Sequence, residues 1–217
     1  DVDDSWFNDQ GLISISNYPI TTEQYVDYLN EAYYDSLEYI VTRNQYIKGY
    51  CEGMPEGVEY SFIKKATPSD ISSYNLARIR WDNVDELFYF EGSNELVYDN
   101  HPMIFVTWCG AMAFAKHYNL DLPSIQEWQD AIHGSGWSDD DLYIDENGNG
   151  EWDDAEERAS YINYYGSGDP WDEPGGTTPV NFYQNPSSNL NDALGNVWEW
   201  TKNENDSESS NRSCVGN

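Results

Sequence analysis

The sequence predicts an irregular α+β domain, in which a few short helices and strands are joined by long loops. Three observations carry that expectation. Helix starts marked by capping residues occur at three places, brief aromatic stretches bounded by turn residues lie between them, and after Gly134 the chain becomes polar, acidic and loop-like. At 217 residues the chain can bury one sizeable core. The expected partition is one domain over residues 1–203, carrying an inserted loop at 145–156, and a polar tail at 204–217. Nine Trp, eighteen Tyr and seven Phe supply the core, so aromatic packing is expected to carry much of the stability.

The elements follow in order. Gly11 to Tyr18 reads as a short strand, because Leu12-Ile13-Ser14-Ile15-Ser16 partly alternates. Thr21 caps a helix, and Gln24 three residues on completes a capping box. Tyr25, Tyr28, Leu29 and Ala32 then recur at helical spacing and are expected in the core. Between Val41 and Tyr98 the pattern is one of strands and turns, with strands at Arg78–Asp82 and Leu87–Phe90 and a turn at Glu91–Asn94. His101–Val106 reads as a buried strand. Thr107 caps a second helix through Trp108, Ala111, Phe114, Ala115 and Tyr118, and Ser124 with Glu127 caps a third whose apolar face begins at Trp128. The last recognisable element is Leu194–Trp200. Beyond Thr201 the chain is Asn, Ser and Glu, with little expected to pack.

Forty acidic residues face ten basic ones, a formal charge of -30. Such a surface repels phosphate backbones, which argues against nucleic acid as a partner. No stretch approaches the ~20 apolar residues of a membrane span, so no membrane insertion is expected. On composition alone an ordinary solvated surface accounts for the acidity, and binding of divalent cations is the alternative. Asp1 is not an initiator Met, so a processed or trimmed start is expected. Three cysteines, Cys51, Cys109 and Cys214, allow one disulfide and a leftover thiol, with the pairing open.

One segment carries a metal-binding pattern of its own. Asp145-Glu146-Asn147-Gly148-Asn149-Gly150-Glu151-Trp152-Asp153-Asp154-Ala155-Glu156 matches an EF-hand loop. Side chains of Asp145, Asn147 and Asn149 can converge on a hard cation, and Glu151 offers its backbone carbonyl. Gly150 permits the sharp turn, Asp153 can act through water, and Glu156 closes the shell with both oxygens. Asp139–Ile144 is too short for a full entering helix, so the loop reads as a structural calcium site rather than a sensor.

Four further segments carry a family resemblance. Thr21-Thr22-Glu23-Gln24-Tyr25 resembles the V-T-N-x-Q-Y helix start of the formylglycine-generating, or sulfatase-modifying-factor, family. His101-Pro102-Met103 through Val106-Thr107-Trp108-Cys109-Gly110-Ala111 resembles its H-P-V-x-x-V-S-W-x-D-A segment. Leu122-Pro123-Ser124-Ile125-Gln126-Glu127-Trp128 resembles R-L-P-T-E-x-E-W, with Asp121 and Ile125 in place of the Arg and the first Glu. Leu190-Asn191-Asp192-Ala193-Leu194-Gly195-Asn196-Val197-Trp198-Glu199-Trp200 resembles L-Y-D-M-x-G-N-V-W-E-W. The motifs stand in the family's order over about residues 12–203.

The resemblance implies a variant of the C-type-lectin-like fold, and two or three calcium sites once the 145–156 loop is included. One family site would use the side chains of Asp192 and Glu199 with the carbonyls of Gly195 and Val197. A second would use Asn163, Tyr164, Asp172 and the Pro174 carbonyl. The family's oxidases work with copper and a cysteine pair placed after an R-G-G-S-W strand, which has no clear counterpart here. Cys109 falls inside a capped helix and reads as a small buried thiol. The expected function is therefore a non-catalytic, extracellular (secreted or cell-surface), calcium-stabilised binding or assembly module. Its partners would be a protein or glycan ligand, or copies of itself. The alternatives are a copper-dependent formylglycine-generating oxidase acting on a sulfatase cysteine, its catalytic segment lying outside this chain, and a glycan-binding lectin. For the lectin, Trp137, Trp152 and Trp171 are the stacking candidates, and Trp108, Trp128, Trp198 and Trp200 are assigned to the core.

Overall fold

The computed structural model describes residues 7–10, 13–35, 47–63, 79–91, 98–134, 163, 176–183, 190–193, 195–202 and 214–215. They fall into two compact units, Ile20–Leu122 and the combination of Asp1–Pro19 with Pro123–Asn217. Each is described by itself.

In the unit Ile20–Leu122 the first helix, α1 (Thr22–Asp35), starts at the expected cap. The Thr21 hydroxyl accepts from Gln24 N at 3.2 Å, and the Gln24 amide oxygen accepts from Thr21 N at 2.8 Å. Two otherwise orphaned N–H groups are thereby satisfied. The predicted stripe is buried: Tyr25, Tyr28, Leu29 and Ala32 all lie in the core. Tyr25 stacks on Phe114 with centroids 5.8 Å apart, and Tyr28 meets the same ring edge-on at 5.4 Å. The aromatic content therefore works as expected, through offset and edge contacts between helices.

The strands β5 (Ile79–Asp82) and β6 (Leu87–Phe90) form an antiparallel hairpin in the predicted place, with Trp81 opposite Phe88. The Asp82 carboxylate accepts from Val84 N and Asp85 N and so shapes the turn. Phe88 points inward while Leu87 and Tyr89 face out, the alternation a half-buried strand requires. The free edge of β6 is closed by α1. Asn30 donates to Phe88 O at 3.1 Å and accepts from Phe88 N at 2.7 Å, so its amide takes the place of a neighbouring strand.

The two-residue strands β3 (Lys48–Gly49) and β4 (Tyr60–Ser61) pair with each other, and the end of β4 packs on the start of the helix α2 (Trp108–His117). Thr107 caps α2 by accepting from Gly110 N at 3.1 Å, and its hydroxyl donates to Ser61 O at 2.6 Å. A Cβ on Gly110 would overlap the Phe62 carbonyl oxygen and come within 2.8 Å of the Tyr25 hydroxyl. Gly110→Ala is expected to cost about 2 kcal/mol through overpacking. An unchanged denaturation midpoint would contradict that close approach.

Two expectations fail in this unit. His101–Val106 is not a strand: it makes only isolated bridges, Pro102 with Thr21 and Val106 with Ile63. Pro102 has no N–H for a ladder, and Phe105 sits at φ 60, which turns the chain out of an extended path. Cys109 is not a free thiol. It is bonded to Cys51, 58 residues away, with Cα atoms 5.3 Å apart.

In the other unit, β1 (Phe7–Gln10) pairs with β2 (Ile13–Ser16), which falls within the predicted Gly11–Tyr18 stretch. The helix α3 (Ile125–Gly134) begins with the second capping box. Ser124 Oγ accepts from Glu127 N at 3.1 Å, and Glu127 accepts from Ser124 N at 2.6 Å. Ala131 and Ile132 of α3 bury against Leu190 and Ala193, with Ile15 and Trp128 at the margin. The strand β7 (Glu199–Trp200) pairs with β8 (Cys214–Val215). The polar tail thus contributes one paired stretch where little was expected to pack, because backbone pairing draws on no apolar side chain.

Candidate functional site

The site is built on the closing segment Leu190–Trp200. Leu190 and Ala193 anchor it in the small apolar cluster on α3. Between them Asn191 N donates to Asn17 O at 2.8 Å, and its side-chain amide donates to Asn181 Oδ1 at 2.8 Å. The chain then turns sharply. Asp192, Gly195 and Asn196 adopt φ values of 55, 76 and 58, a left-handed path that Gly, Asn and Asp tolerate better than other residues. Val197 N donates to Gly195 O at 2.7 Å, closing a tight turn.

Asn196 holds this turn to two neighbouring stretches. Its side-chain oxygen accepts from Thr178 N at 3.0 Å and from Asn163 Nδ2 at 3.2 Å, and its amide donates to Thr178 O at 3.3 Å. Asn163 O in turn accepts from Asn196 N at 2.8 Å. Asn163, read from the sequence as a ligand of a second ion, therefore works at least as a hydrogen-bonding partner of the closing turn.

Two carboxylates stand within this frame. Asp192 is 3 % exposed; its Oδ2 accepts from Asn181 N at 2.9 Å, while its buried Oδ1 has no hydrogen-bond partner. Burial pushes its carboxyl up to about 6, against the opposing Asn181 N–H. Glu199 is half-buried as a residue, with its carboxyl the desolvated part. Its Oε2 accepts from the indole Nε1 of Trp128 at 2.8 Å. Desolvation pushes it up to about 7, the Trp128 N–H opposes the shift, and the charge of Asp192 adds to it.

Two carboxyl groups that feel one another in a desolvated setting have two ways to lower their energy. They can take up protons, or they can share a cation. The bare Asp192 Oδ1, together with a second carboxylate and the backbone carbonyls of the turn, is an all-oxygen donor set of the kind hard divalent ions take. The residues present therefore fit calcium.

Asp192, Gly195, Val197 and Glu199 lie along this one segment, and Glu199 feels the charge of Asp192. Tyr164, Asp172 and Pro174 lie outside the described residues, as do Asp145, Asn147, Asn149, Glu151, Asp153 and Glu156 of the acidic loop. Among the described residues no cluster of three or more His, Cys, Asp or Glu could hold a metal, so a site here would depend on carbonyl donors beside its two carboxylates. Sequence reasoning missed Asn181 and the bond from Trp128. The Gly195-Asn196 pair was the one signal for a left-handed turn; Asn181 carried none. Trp198, assigned to the core, is 62 % exposed. Trp200, two positions on in the same extended run, is half-buried.

A small irregular α+β protein whose closing turn carries buried carboxylates defines a structural class. The chain belongs to the sulfatase-modifying factor enzyme 1-like domain family, whose model matches residues 12–216. It is 24% identical over 210 residues to the formylglycine-generating enzyme of Mycobacterium tuberculosis, covering 88% of this chain and 63% of that protein. To the formylglycine-generating enzyme of Streptomyces coelicolor it is 29% identical over 107 residues, covering 46% of this chain and 32% of that one. The chain thus spans less than two thirds of the length of these curated relatives. No solved structure matches it. No helix among the described residues is long and apolar enough to cross a membrane.

Proposed function

We propose that this chain is the calcium-clasped framework of a formylglycine-generating protein, one that oxidises a sulfatase cysteine with the help of copper. The observation that carries the reading is the continuity of the family match over residues 12–216, with each quoted motif serving a definite structural role. Thr21 and Ser124 close capping boxes, Thr107 caps α2, and Leu190–Trp200 forms the carboxylate-bearing turn. The names of the curated relatives support the same activity. In this reading calcium is held by Asp192 and Glu199 with the Gly195 and Val197 carbonyls, and the 145–156 loop holds another ion. Calcium supplies charge neutralisation and rigidity rather than redox chemistry.

The test is to load the natural-length protein with copper under oxygen, add a sulfatase-type cysteine peptide, and look for the aldehyde with a carbonyl-reactive label and mass spectrometry. Aldehyde formation is the expected result. Its absence would overturn the oxidase.

A second reading has its own support. Of the three cysteines, Cys51 and Cys109 are buried and joined to each other, which removes both from redox work at a surface. A non-catalytic binding or assembly module would need only the framework. The buried bridge also supports an oxidising, extracellular setting for either reading.

A further inference from the structure

We infer that the indole N–H of Trp128 is the positioning group for the metal-ligating carboxylate of Glu199, so that the start of α3 sets the affinity of the calcium site. The inference rests on the calcium reading above and adds to it a residue outside the ligand segment.

Three contacts hold the two stretches in one register. Lys202 N donates to Pro123 O at 2.9 Å. The Lys202 ammonium lies 3.1 Å from Glu127 Oε2, and that same oxygen closes the capping box with Ser124 N. Trp128, the next residue of α3, then donates to Glu199 Oε2 at 2.8 Å. The backbone pairing places β7 beside the helix start, the ion pair draws the two side-chain rows together, and the capping box fixes where the helix begins. Trp128 is therefore presented to Glu199 by a framework that does not depend on the carboxylate itself.

The consequence is geometric. A glutamate has three side-chain torsions, and a carboxylate that rotates freely spends little time aimed at an ion. An N–H anchored on Oε2 restrains the last rotation and leaves Oε1 for the ion. Groups that orient a ligand through its far atom typically change metal affinity by about 10- to 100-fold when removed. Trp128→Phe keeps a ring in the cluster with Ile132 and deletes the donor.

The experiment is calcium titration by calorimetry, paired with melting in chelator. Asp192→Asn supplies the background from any other calcium sites. The wild-type chain is expected to bind one more calcium than Asp192→Asn; if it does not, the calcium reading itself falls. Given that extra ion, Trp128→Phe is expected to bind it about 10-fold more weakly. Ile132→Val, which trims the same cluster without touching Glu199, is expected to lower melting in chelator yet keep wild-type affinity. Wild-type affinity in Trp128→Phe, or an equal loss in Ile132→Val, would overturn the positioning role. Should Trp128→Phe fail to fold, the wild-type chain decides: its assigned Trp128 indole N–H resonance is expected to move in step with calcium, and a resonance that stays put would overturn the inference.

Discussion

Replacing both Cys51 and Cys109 with Ala is expected to lower the folding stability by about 4 kcal/mol. The bridge joins residues 58 positions apart, and closing a loop of that length removes conformational freedom chiefly from the unfolded chain. Its two ends tie the β3–β4 region to α2. Cys51 and Cys109 are both buried in the aromatic cluster with Tyr25, Phe62 and Phe114. Losing the bridge therefore also loosens the packing around Gly110, where the Phe62 carbonyl and the Tyr25 hydroxyl leave no room for a Cβ. The measurement is a denaturant titration of the double variant against the wild type. Thiol labelling gives an independent check: one of the three cysteines should react in the unfolded, unreduced chain and all three after reduction. Three reactive thiols before reduction, or equal midpoints, would refute the bridge.

That bridge also shows where local reading ends. The caps at Thr21, Thr107 and Ser124, the stripe of Tyr25, Tyr28, Leu29 and Ala32, and the hairpin at Ile79–Phe90 were legible because their signals sit within a few residues of one another. Cys51 and Cys109 carry no such signal. Their proximity is created by the docking of β4 on the start of α2, through Thr107 N to Phe62 O and Thr107 Oγ1 to Ser61 O. His101–Val106 misled for a related reason. Its apolar residues suit a strand, but Pro102 and the positive φ of Phe105 deny it a ladder, and its partners are single residues from two separate stretches. At the site, Asp192 and Glu199 stood out through the family motif that Leu190–Trp200 resembles. What makes them chemically unusual did not, since the Asn181 N–H, the Trp128 indole and the missing partner of Asp192 Oδ1 arise only from tertiary placement. Trp198 was misassigned because a motif residue was taken for a core residue; motif membership says that a position matters, not that it is inside.

Asp192→Asn is expected to stabilise the chelated protein at pH 7.5 by about 2 kcal/mol, and to abolish the share of calcium stabilisation that belongs to this site. The substitution is nearly isosteric. Asn suits the left-handed φ of 55 and still offers an oxygen to Asn181 N. What it removes is a charge that the fold desolvates. The sign follows from the raised values, about 6 for Asp192 and about 7 for Glu199. In the unfolded chain both groups ionise near 4. A raised folded value means that the folded state binds protons more tightly, so this contribution is fully present below about pH 4 and is lost as pH rises through about 6 to 7. The chelated wild type should therefore melt lower at pH 8 than at pH 5, and the variant should show a shallower fall, chiefly because the raised Asp192 carboxyl no longer titrates and also because Glu199 no longer faces a second charge. The overall charge of -30 acts in the same direction, so the comparison belongs at high salt, where repulsion between exposed carboxylates is screened and the buried pair is not. Calcium should reverse the wild-type trend, since the ion needs both carboxylates ionised and its stabilisation grows with pH. Identical pH slopes in the two chelated proteins, with identical gains on adding calcium, would mean that Asp192 is neither desolvated nor a ligand.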